Sequence, residues 1–96
     1  MNYLNTTHID TMQITAMRMK SMIMGKKLQR WLQSLSNDEK QFFLVDAGIL
    51  FTQHGYLVNV LHNLADAHVG SLQAFAITIS GNLALYNYFV ALDLLL

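Results

Sequence analysis

Residues 36–68 read SNDEKQFFLVDAGILFTQHGYLVNVLHNLADAH. The stretch opens on a helix start. The Ser36 hydroxyl is placed to accept the Glu39 amide while the Glu39 carboxylate reaches back, a capping box, and Asp38 and Glu39 add negative charge to the first turn. Beyond it Phe43, Ala47, Leu50, His54, Leu57, Leu61, Leu64 and His68 recur at steps of three and four, flanked by Phe42, Ile49, Tyr56 and Val60. Gln41, Gly48, Thr52, Gly55, Asn59, Asn63 and Asp66 fall on the opposite side. This period is that of a helix. Both stripes keep their phase through Gly55, so the spacing predicts one helix over 37–68, although a mid-helix glycine costs about 1 kcal/mol relative to alanine.

The same reading extends in both directions. Upstream, Ile14, Met17, Ser21, Met24, Leu28, Trp31 and Leu35 form one stripe, with Ser21 its weak member, and Met12, Ala16, Met19 and Ile23 form a second on the other side. Downstream, Gly70 suits a left-handed helix end and Ser71 the next N-cap. Residues 72–95 are apolar on most sides, with Gln73, Ala76, Ser80, Ala84, Asn87 and Ala91 as the small and polar stripe. Ala74–Ile79 and Leu83–Ala91 are rich in strand-forming residues, but their polar positions repeat every three to four residues. No proline interrupts the chain. The expected fold is all-α: one domain over 1–96, with three long helices at 9–35, 37–68 and 72–95 in a bundle completed by oligomerisation.

The case for oligomerisation is compositional. Apolar residues make up 53% of the chain and charged residues 12%, against about 25% charged in an ordinary soluble domain. All six Lys and Arg lie within the first 40 residues, whereas 41–96 carry only Asp46, Asp66 and Asp93. A chain of 96 residues buries only about 60–70% of its unfolded surface alone. The missing polar surface is therefore expected to be supplied by subunit contacts or by a bilayer.

Catalysis is not expected. The chain has one Glu, no Cys and no glycine-rich phosphate loop, and its Ser, His and Asp residues form no triad-like arrangement. His62 and Asp66 stand four apart, a spacing that suits two metal ligands, but no third ligand accompanies them; they read as a solvated pair, and neither metal nor cofactor is expected. His54 and His68 fall on the apolar stripe and read as hydrogen-bonded core or interface residues. Arg18, Lys20, Lys26, Lys27 and Arg30 form a basic surface scattered around the first helix, unlike the one-sided footprint of a nucleic-acid binder. Nucleic-acid contact is not expected.

Two function classes fit. The first is a non-enzymatic protein–protein interaction module (adaptor, chaperone, regulator or inhibitor) acting through an apolar helical surface as an oligomer, with itself and another protein as partners. Its expected contact residues are Met19, Met22, Ile23, Trp31, Leu57, Leu61, Tyr86 and Phe89, the methionines because their flexible side chains suit adaptable surfaces. The second is a small two-span membrane protein, holin-like in outline, using the uncharged windows 47–65 and 67–92 with Gly48, Thr52 and Gly55 as a packing face. Against it stand Gln53, His54, Asn59, His62 and Asn63, which are costly in lipid. With no basic, apolar leader in Met1–Asp10, the expected location is cytoplasmic, with the inner or plasma membrane as the alternative.

Overall fold

The computed structural model describes residues 3–93, with side chains from Met12 onward. The described residues form five helices and no strand: α1 Tyr3–Ser34, α2 Asn37–Gln53, α3 Asn59–Ala65, α4 Val69–Ser80 and α5 Leu83–Ala91. The fold is all-helical, as the periodicity requires, but the expected three long helices become five. Only the first survives as a single element, and it starts at Tyr3 instead of residue 9. The other two are each broken into a pair; the expected end of the last, at 95, lies outside the described residues.

The α1–α2 boundary falls where the capping box puts it. Ser36 Oγ accepts from the Glu39 amide at 3.3 Å, and the Ser36 amide donates to Glu39 Oε1 at 3.2 Å. The break of 37–68 occurs at Gly55, which takes φ +79°. The Gly55 amide donates to the Thr52 carbonyl and the Tyr56 amide to the Phe51 carbonyl, and the Tyr56 ring lies against Phe51 at 6.4 Å between centroids. These are the two bonds and the apolar clasp of a Schellman helix end. A glycine reaches that left-handed conformation freely, so ending the helix there costs less than the unbroken stripe suggests.

α3 ends the same way without a glycine. Ala67 takes φ 64°, its amide donates to the Leu64 carbonyl, and the His68 amide donates to the Asn63 carbonyl. The left-handed position expected at Gly70 therefore falls three residues earlier, and Gly70 sits inside the first turn of α4. Ser71 is no N-cap: His68 holds that position, and the buried Ser71 hydroxyl donates to the His68 carbonyl at 2.5 Å. The axes of α4 and α5 turn by 112° at Gly81–Asn82. There Asn82 adopts extended backbone and caps α5 by accepting the Leu85 amide at 3.1 Å.

This turn carries Phe89 back into the middle of the molecule. Its ring lies 5.2 Å from Phe75 of α4 and 6.2 and 6.4 Å from Phe51 and Phe43 of α2, mostly edge-on, the arrangement aromatic quadrupoles favour. Trp31 of α1 meets Phe43 edge-to-face at 5.0 Å. Met24, Leu28, Leu32, Leu61, Leu64 and Ile79 complete the core. α1 enters it along Ser21, Met24, Gly25, Leu28 and Leu32 and packs chiefly on α4. From Met12 to Lys20 the helix is exposed except for the half-buried Met17. At 1.5 Å per residue α1 is about 48 Å long, which accounts for the 53 × 24 × 23 Å shape of the molecule.

Candidate interaction surface

The helix break that overturns the long-helix expectation also makes the most distinctive surface. α2 buries Phe43, Leu44, Ala47, Gly48 and Phe51. One helical turn round from these, Phe42, Val45 and Ile49 are left facing outward, with Phe42 75% exposed. After the Gly55 turn the chain returns so that Val58 lies over Gly48, where a Cβ would stand 3.5 Å from Val58 Cγ1. Gly48 is thus the close-packing point of the α2–α3 corner. Between the two elements runs an open groove of about 420 Å³, floored by Leu44 and Gly48, walled by Val45, Ile49 and Val58, and edged by Gln41, Thr52, Gln53 and His62. It continues past Phe42 and Val45 to Asp38 in a second hollow of about 320 Å³.

The chemistry of this surface is apolar with a thin polar edge. The Thr52 hydroxyl is engaged by its own helix, donating to the Gly48 carbonyl at 2.9 Å. Asp38 lies at one end and Asp46 on the flank of α2. Asp46 adds to the burial that raises the Tyr88 hydroxyl above the usual tyrosine range, desolvation being the larger cause. Grooves of this type suit the side chains of a docked amphipathic helix.

A second exposed apolar face lies on α1. Met12, Ala16, Met19 and Ile23 form a stripe turned away from the bundle, with Met19 65% exposed. Met22 and Ile23 are likewise exposed. Arg18, Lys20, Lys26, Lys27 and Arg30 are all exposed along the same helix.

The remaining expected contact residues divide. Leu57 is 72% exposed, because it follows the Gly55 turn. Trp31 and Tyr86 are half-buried against the core. Leu61 and Phe89 are fully buried in the core of this fold, where the α3 register and the α4–α5 turn direct them inward. His54 and His68 are exposed, which removes the core position, one of the two roles expected of them; His54 Nδ1 lies 3.1 Å from Asn82 Nδ2, joining the two inter-helix turns. Phe42, Val45 and Val58 were not among the expected contacts. The i, i+3, i+7 spacing of Phe42, Val45 and Ile49 carried the signal, but an unbroken helix 2 left no groove for them to line.

Among the described residues, no three His, Asp or Glu side chains gather in one place, and Asp66 serves as the C-cap of α3. No single described helix is long and apolar enough to cross a membrane; only the bent pair α4–α5 meets length and composition together. The windows 47–65 and 67–92 are broken at Gly55 and at Gly81–Asn82. No protein-family model, curated protein or solved structure matches the chain.

Proposed function

We propose that this chain is a non-enzymatic protein–protein interaction module that works as an oligomer, with the outer face of α2 and its groove as the contact surface. The observation that carries the reading is the contiguity of Phe42, Val45, Ile49 and Val58 on one face beside a groove. Scattered exposed leucines need no explanation, whereas a connected apolar patch beside a groove marks a place another surface covers. Fully burying side chains of this size is worth about 1.5–3 kcal/mol each, of which a part is offset by the ordering costs of association.

The test is the mass of the protein in detergent-free buffer by light scattering. The parent chain is expected to be larger than a monomer, and Phe42→Asp with Ile49→Asp to be monomeric with unchanged helical circular dichroism. A parent that stays monomeric at high concentration contradicts the reading.

A further inference from the structure

We infer that the occupant of the α2 groove is the outward face of α1 from a second copy of this chain, the two copies exchanging these contacts reciprocally. The inference rests on the assembly proposed above and names its surfaces.

The first support is charge. The apolar stripe Met12, Ala16, Met19, Ile23 is bordered by Lys20 and Lys26, while the stripe Phe42, Val45, Ile49 has Asp38 at one end of its hollow and the exposed Asp46, four residues after Phe42, on its flank. Each face has an apolar centre and a rim of one sign, and the signs are opposite. Rim charges arranged this way set partner choice and register.

The second support is connectivity. α1 is one continuous helix held in its own bundle by Ser21, Met24, Gly25, Leu28 and Leu32. Its other face is directed away from that bundle and cannot turn onto the α2 of the same molecule. A two-fold partner satisfies both faces at once and closes the assembly at a dimer.

The third is area. The accessible surface is 6263 Å², against about 5,600 Å² for a compact monomer of 10.9 kDa. The surplus of about 700 Å² goes with the projection of α1, whose outward apolar stripe is left uncovered.

The experiment is a charge swap read by sedimentation velocity. One variant carries Lys20→Glu and Lys26→Glu, the other Asp38→Lys and Asp46→Lys. Each alone is expected to self-associate about tenfold or more weakly than the parent. Their equimolar mixture is expected to recover the parent's mass, because both contacts of the mixed dimer again join opposite charges. A single chain with all four changes is expected to assemble by itself, which covers the case of a pairwise variant that does not fold. Variants that assemble as the parent does, or a mixture that stays monomeric, overturn the pairing. So does a monomeric parent that binds phosphatidylserine vesicles through Lys20 and Lys26. A monomeric parent removes both the pairing and the assembly beneath it, whereas a parent that assembles but ignores the swap removes the pairing alone.

Discussion

A Cβ placed on Gly25 would stand 2.9 Å from Cδ2 of Leu72 and 3.3 Å from Cδ1 of Phe75. Gly25 is therefore the point of closest approach between α1 and α4, the pair of helices on which the core is built. Ser21, one turn away, is fully buried, and its hydroxyl has no hydrogen-bond partner. Small side chains let the two backbones approach, and the orphan hydroxyl is a cost of using serine there. Gly25→Val is expected to destabilise by about 1–3 kcal/mol through overpacking. Ser21→Ala is expected to stabilise by about 1 kcal/mol by removing an unsatisfied polar group. Chemical denaturation of both variants checks the pair; equal midpoints would contradict this account of the crossing.

The two Schellman turns carry different residues at the left-handed position, and that difference is measurable. Gly55 meets the left-handed requirement without strain, whereas Ala67 holds φ 64° with a Cβ. Left-handed backbone costs an ordinary residue about 1–2 kcal/mol. Ala67→Gly is expected to raise the melting temperature, and Gly55→Ala to lower it even though the space around Gly55 is open. The opposite signs of the two changes are the check.

Leu57 and Leu61 lie on the same predicted stripe, but Leu57 falls in the connection between α2 and α3 whereas Leu61 lies inside α3. Leu61→Asp is expected to abolish folding by placing a carboxylate in a fully buried site. Leu57→Asp is expected to leave the fold intact, within about 0.5 kcal/mol, as a surface change. Phe89→Ala, at the aromatic centre, is expected to cost about 3–5 kcal/mol. Circular-dichroism melts separate the three; loss of fold in Leu57→Asp would restore the continuous helix.

The capping box gives a pH dependence. Hydrogen bonds from Ser36 hold the Glu39 carboxyl below the usual glutamate range. A carboxylate depressed in the folded state adds stability above its unfolded pKa and loses it as pH falls through the folded value. Glu39→Gln keeps the hydrogen-bonding shape without the titration. Between about pH 6 and about pH 3 the parent is expected to lose more stability than this variant. Parallel losses would assign the acid sensitivity elsewhere.

Local chemistry was legible wherever a signal was complete in itself. The Ser36–Glu39 box places the α2 start, and the three-four spacing of Met24, Leu28, Leu61 and Leu64 identifies core residues correctly. The outward turn of Met19, Met22 and Ile23 was legible too, because one helix cannot bury two opposite faces in a small bundle. Gly55 was misread because its neighbours stay in phase: Leu61 and Leu64 are buried after the turn just as they would have been without it. Phase cannot distinguish a continuous helix from two that return to the same core. Ala67 escaped notice because alanine carries no turn signal, although its left-handed backbone closes α3 through the Ala67 and His68 amides. The groove followed these misses, since it exists only where the broken helix folds back.

The chain contains no cysteine, so a single introduced thiol reports on one site alone. The most direct measurement is the rate at which Ile49→Cys reacts with a thiol reagent across a dilution series, beside Gln73→Cys on the exposed side of α4. If the outer face of α2 is covered by another subunit, the thiol at 49 is protected at high concentration and reacts faster on dilution, while the thiol at 73 reacts at one rate throughout. A rate at 49 that is fast and independent of concentration would contradict the account.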